Sequence, residues 1–258
     1  MLLNEIEQIF DKIYPRQINL KSFDKKDRLN PTIWSNGSLK KIVRIHLKKI
    51  ANEFIESLEM PELKISDIVV VGSIAGYNWS KYSDIDLHIL VDFNSLSEYG
   101  TPETLKKLFD LKRGKWNDSH NVRIYGYEVE LYIQDTSEEN ASDGIYSVKY
   151  DKWVHFPVGN NMQIDRELVK ALAAQYINII DKMEELAHKL KSVRACKVLY
   201  DEVDKIHDEI VMGRREGIAA EGENAAKNIV FKVLRRTGHI GKTNDLKIYL
   251  KDRIDSVY

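Results

Sequence analysis

A single cysteine, five prolines and no long apolar run mark this 258-residue chain, and each scarcity excludes something. With Cys196 alone, no internal disulfide can form, and a reducing compartment is expected. Cys196 falls in a helical pattern, where a buried filler is expected rather than a nucleophile. No apolar stretch approaches the roughly 20 residues that a membrane-spanning helix needs. Met1-Leu2-Leu3-Asn4-Glu5 reaches polar and acidic residues too early for a secretory leader, so a cytoplasmic protein without membrane contact is expected. Neither charge sign dominates: 39 Lys and Arg face 40 Asp and Glu, and the net charge of −1 provides no global field to draw the chain onto nucleic acid. Contact with RNA would have to come from a local patch. No period of 20 to 50 residues recurs, which excludes a solenoid.

What is present is an ordinary globular composition, 43% hydrophobic and 31% charged, long enough for one large domain or two modest ones. Leu2, Ile6, Ile9, Phe10 and Ile13 predict a short amphipathic helix over residues 2–14. Residues 15–37 read as irregular, with a turn at Asn36-Gly37, and Ser38 as the cap of a helix over 39–58. Its expected apolar face is Ile42, Ile45, Leu47, Ile50, Phe54 and Leu58. The β-branched run Ile68 to Val71 predicts a strand buried on both faces. Thr101-Pro102-Glu103 opens a helix expected to reach about Leu111, with 112–120 as a loop. Residues 122–133 read as strands broken at Gly126, and strand character returns around Trp153 to Phe156. From Asp165 the pattern is helical: 165–191, 193–212, 225–236 and 244–255. A boundary near residue 160 is therefore expected, with an α/β part over 1–160 and a helical part over 161–258.

The most informative stretch is Val69 to Val91. An apolar run ends at Gly72-Ser73, and after a polar connection a second run begins Ser83-Asp84-Ile85-Asp86-Leu87-His88-Ile89. Strand side chains alternate, so Ile85, Leu87, Ile89 and Val91 are expected to face a core while Asp84 and Asp86 share the opposite face. Carboxylates that close repel unless a cation lies between them, and hard divalent ions favour oxygen ligands. A bare Asp-x-Asp is also what two solvated strand acids look like.

Gly72-Ser73 followed by Asp84-x-Asp86, with Asp84 twelve residues after Gly72, resembles the signature of the DNA polymerase beta-type nucleotidyltransferase superfamily over about residues 60–135. The resemblance implies an α+β fold: a mixed β-sheet flanked by helices carries the catalytic residues, and a C-terminal helical domain follows. It implies transfer of a nucleoside monophosphate from a nucleoside triphosphate such as ATP to an acceptor hydroxyl, with pyrophosphate leaving, at a site holding Mg2+ or Mn2+. It also implies a third carboxylate beside Asp84 and Asp86. Glu130, four residues past Gly126, is similar to the family's glycine-to-acid spacing and is taken as that ligand; Glu128, on the same strand face, is the other candidate.

Gly72 and Ser73, with the backbone N–H groups after them, form the expected phosphate cradle, which a plain turn would also resemble. Lys81 is placed to reach the triphosphate, and His88 shares the Asp84/Asp86 face. Residues 211–242 carry seven Lys and Arg against three Glu, and Lys232, Arg235 and Arg236 share one helical face. That cluster fits a grip on donor phosphates, an RNA-binding patch, or a solvated face balanced by the acidic helix before it. The acceptor is open among an RNA or tRNA end, a protein hydroxyl and a small molecule. The alternatives to this enzyme are a lapsed nucleotide-binding sensor or partner module and a synthase of nucleotide messengers.

Overall fold

The computed structural model describes residues 15–140, 142–159 and 164–256, so the helix expected over 2–14 lies outside the described residues. The described part begins with 3-10 turns at Pro15–Gln17 and Lys21–Phe23. A two-stranded hairpin follows, β1 (Trp34–Ser35) and β2 (Ser38–Leu39), turning at Asn36 and Gly37, both with positive φ. That pair of left-handed residues is the backbone an Asn-Gly hairpin turn demands. Ser38 is therefore a strand residue and not a helix cap. Helix α1 runs Lys41–Ser57 after Lys40, whose side chain makes no capping bond.

The α1 face also differs from expectation. Val43, Leu47, Ile50, Ala51 and Phe54 are buried, whereas Ile42 and Ile45 are 47% and 51% exposed. Next come β3 (Ile65–Val71), β4 (Ile85–Val91) and α2 (Pro102–Ser119). The cap of α2 is as expected, Thr101 Oγ1 accepting from Thr104 N with Pro102 in the first turn. The helix continues eight residues past Leu111, because Trp116 packs edge-on against Phe54 of α1 and anchors a stretch that looks polar in one dimension. Then come β5 (Arg123–Ile124), β6 (Tyr127–Asp135), β7 (Ile145–Ser147) and β8 (Lys152–His155), with the break at Tyr125 and Gly126, both at positive φ. Four helices complete the described chain: α3 (Arg166–Lys189), α4 (Val193–Glu221), α5 (Ala226–Arg236) and α6 (His239–Asp255).

These elements fall into two compact units, one within 21–160 and the other joining residues up to 20 with those from 161 onward. The first holds a six-stranded mixed sheet in the order β5-β6-β4-β3-β7-β8. The pair β3·β4 is antiparallel, and β4·β6 is parallel, which requires a crossover; α2 supplies it. One sheet face packs its Ile85, Leu87, Ile89, Val129, Leu131 and Ile133 against Val43, Leu47 and Phe54 of α1 and Leu105 and Phe109 of α2. Ile68 to Val71 are buried throughout, as the unbroken β-branched run predicts.

In the helical unit, Met183, Ala187, Cys196, Leu199, Val203, Leu246 and Leu250 form a core, and Cys196 is buried as expected. Lys242 of α6 reaches Asp181 (2.6 Å) and Glu184 (2.8 Å) of α3, and Lys247 pairs with Asp204 of α4. Among the described residues, no helix is long and apolar enough to cross a membrane.

Candidate active site

The acidic site is built by strand register. In the antiparallel pair Val71 faces Asp86, and in the parallel pair Asp86 faces Glu130. Register partners on neighbouring strands point to the same face, with backbones roughly 4.8 Å apart. Ile85, Leu87, Ile89 and Val91 have no exposed surface, while Asp86 is half-buried and Glu130 exposed. Asp84 is the second residue before Asp86, just ahead of β4, and is also half-buried. Glu128, the other candidate, is a register partner of Arg123 on β5 and bonds to it at 2.9 Å, so its charge is already met on the side away from β4.

Gly72 closes the other side. Its φ is +73°, and a β-carbon there would stand 2.0 Å from Asp86 Oδ2, so only glycine lets the turn lie against that carboxylate. The residues after it make a single 3-10 turn, Ser73–Ala75, rather than a long helix, so no sizeable helix dipole reinforces the cradle. Gly72 N donates to Ser142 Oγ (3.3 Å). Ser73 Oγ donates to Ser83 Oγ (2.8 Å), which also accepts from Ser80 N (3.0 Å). A chain of hydroxyls thus ties the glycine turn to the strand bearing the aspartates. Ser142 lies between β6 and β7, and no local sequence pattern marks it.

One step along the same face, His88 pairs in register with Tyr132, the rings 4.9 Å apart, and its Nδ1 lies 2.7 Å from Gln134 Oε1. Gln134 Nε2 donates to Glu138 O and its Oε1 accepts from Asn140, which fixes the amide orientation. His88 Nδ1 therefore carries the proton. Burial holds the imidazole below the usual histidine range, the Gln134 bond offsetting this only in part.

Lys81 is exposed, with Nζ 4.9 Å from the centre of the Tyr82 ring. Lys232, Arg235 and Arg236 lie on α5 in the helical unit. Within that unit Lys232 pairs with Glu223, Lys227 with Glu216 (3.5 Å) and Lys242 with Asp181, so these cations have acidic partners close by. Burial pushes the Glu223 carboxyl up, but Lys232 and Asn228 outweigh it and hold the group below the ordinary carboxylate range. The fold thus sets Gly72 against Asp86 and Asp86 beside Glu130, with Ser73 tied to Ser83 just ahead of Asp84 and Lys81 in the connecting loop, while the three α5 cations belong to the other unit. As the side chains stand, no three His, Cys, Asp or Glu among the described residues converge tightly enough to hold a metal ion.

A family model described as nucleotidyltransferase domain matches residues 47–212, more than half of the chain. The chain belongs to this nucleotidyltransferase family. The matched span contains β3, β4 and β6, hence the whole acidic register of the enzyme, and extends into α4. No curated protein matches the nucleotidyltransferase sequence. Among solved structures, that of the STING-associated CdnE c-di-GMP synthase from Capnocytophaga granulosa aligns with 96% of this chain and 98% of its own, at 14% identity and a TM-score of 0.23.

Proposed function

We propose that this nucleotidyltransferase is of the polymerase beta type, with Asp84, Asp86 and Glu130 as the carboxylates that hold Mg2+ or Mn2+ while a nucleoside monophosphate passes from a triphosphate such as ATP to an acceptor hydroxyl. The observation that carries this reading is the register of Asp86 with Glu130 beside the glycine turn. The donor set has the chemistry a hard divalent cation favours: all three groups are oxygen anions, Asp86 and Glu130 are strand neighbours on one face, and Gly72 leaves open the space that Asp86 Oδ2 takes, so that the carboxylates would have to draw closer together around an ion. When bound, such ions supply charge neutralisation at the attacking and departing oxygens. The chain's own residues position the substrates. Asp84 and Asp86 orient the phosphate end of the donor, the Ser73 hydroxyl lies at the turn where the triphosphate is drawn in, and Lys81 adds a cation from the adjoining loop. The basic face of α5, Lys232, Arg235 and Arg236, is assigned a capacity of its own to meet triphosphate charge, within the helical unit. The lone buried Cys196 supports a cytoplasmic setting.

Incubation with each labelled triphosphate and Mg2+ or Mn2+, alone and with RNA, protein extract or a small-molecule panel, followed by mass spectrometry of the products, tests this reading. Incorporation or pyrophosphate release that depends on the divalent ion is expected. Tight nucleotide binding without turnover in every arm would overturn the enzymatic assignment and leave a nucleotide-binding module.

A further inference from the structure

Resting on the transferase reading above, we infer that the surface joining residues 25–28 to the loop over residues 77–82 docks the end of a single-stranded nucleic acid, which makes the acceptor a polynucleotide hydroxyl. That loop is the covalent link between the Gly72-Ser73 turn and Asp84-x-Asp86, so a ligand held on it lies beside the reacting groups. The two segments are fastened to each other. Lys26 N donates to Tyr77 O (2.7 Å), and Trp79 Nε1 donates to Arg28 O (2.8 Å).

Their side chains alternate rings and cations. Lys26 Nζ lies 5.9 Å from the centre of the Trp79 ring, and Lys81 Nζ lies 4.9 Å from that of Tyr82, a ring 45% exposed. Lys25, Lys26 and Arg28 stand against Asp24 and Asp27 in a chain whose net charge is −1, a small local surplus of positive charge. Rings interleaved with cations are the arrangement that binds single strands, bases stacking on the rings while Lys and Arg meet the phosphates. An ammonium already resting over a ring has only to swing aside to exchange that face for a base and reach the flanking phosphate. A free nucleotide offers one base and one phosphate tail, fewer than the two ring-and-cation pairs Lys26–Trp79 and Lys81–Tyr82, which favours a strand over the donor as the occupant.

The test is fluorescence anisotropy of the full chain with a labelled oligouridylate of about ten nucleotides, and with the matching DNA, at several salt concentrations. Trp79 also packs on the core, so the stacking test falls to Tyr82. Tyr82→Ala is expected to weaken binding roughly ten-fold, and Tyr82→Phe, which keeps the ring, to restore it. Lys26→Ala with Arg28→Ala should weaken binding similarly and flatten the salt slope by about 0.7 for each phosphate no longer neutralised. Calorimetry with a non-hydrolysable triphosphate should give an unchanged Kd in all three variants. The inference is overturned if the wild-type chain binds neither oligonucleotide, if the variants bind as it does, if Tyr82→Phe behaves like Tyr82→Ala, or if the triphosphate affinity falls instead. Because these readouts are equilibrium binding, they stand apart from failure of the transfer reaction itself.

Discussion

Asp86 Oδ2 occupies the space that a β-carbon on Gly72 would need, only 2.0 Å from its ideal position. A methyl group there must displace the carboxylate, and the φ of +73° adds backbone strain of roughly 1 kcal/mol for any residue with a β-carbon. Gly72→Ala is therefore expected to lower transfer by about 10²-fold or more while costing only a few degrees of melting temperature. Turnover near wild-type, measured beside a thermal melt, would show that the carboxylate position does not matter to the reaction.

Asp84→Asn, Asp86→Asn and Glu130→Gln are each expected to reduce transfer by about 10²- to 10³-fold. Their circular dichroism and melting should stay close to wild-type, because partly solvated strand acids contribute little to stability. Chelation of divalent ions from the wild-type enzyme should reproduce the drop in activity. A folded Glu130→Gln protein with full activity would remove the third ligand from the assignment.

Glu128→Gln separates the two glutamates. It breaks an exposed pair with Arg123, worth about 0–1 kcal/mol, and should leave turnover within a few-fold of wild-type. Steady-state rates for the two glutamine variants, measured side by side, decide which glutamate serves. A reversed order of severity would make Glu128 the ligand.

For the helical unit, Arg235→Ala combined with Arg236→Ala is expected to weaken triphosphate binding roughly ten-fold, the scale of removing one charge-assisted hydrogen bond. Calorimetry reads this directly. An unchanged Kd would withdraw these cations from the donor and leave them as a solvated face.

Glu223 makes a statement about acid stability. Its folded pKa lies below its unfolded value because Lys232 and Asn228 outweigh the effect of burial. The unfolded chain therefore takes up more protons as the pH drops through roughly 4. The stability this carboxylate contributes is present above its unfolded pKa and disappears as pH falls through the lower folded one. Denaturant midpoints measured across that window should fall more steeply for the wild-type chain than for Glu223→Gln. Parallel curves would mean that the Lys232 ion pair does not persist in solution.

The alternation of Ile85, Leu87 and Ile89 with Asp84, Asp86 and His88 was legible because strand faces follow a period of two, whatever the partners are. The turn at Gly126 was legible for the same kind of local reason: it sits at positive φ. The pairing of Asp86 with Glu130 was not readable from strand patterns, since parallel register is decided by the crossover and the core; only the family spacing pointed to it. Along α1, apolar residues at 42, 43, 45, 47 and 50 support two overlapping stripes, and packing chose the one through Val43 over the one through Ile42 and Ile45. The last turns of α2 look polar because few residues hold them down, Trp116 against Phe54 and Asn117 through bonds to the backbone of Leu131 on β6. The pairing of Lys232 with Glu223 joins a helix to the turn before it, beyond the reach of helical periodicity.

The crossover through α2 has a consequence for how this catalyst can be divided. Asp84 and Asp86 precede it and Glu130 follows it, so a cut after Ser119, where the helix ends and before β5 starts, leaves neither fragment with all three acids. Under the proposed assignment of those acids, activity returns only when β4 and β6 find each other across the break, with the sheet itself as the adhesive. Nucleotidyl transfer by the severed halves would count reunions between two strands, which makes this fold a natural frame for a split reporter.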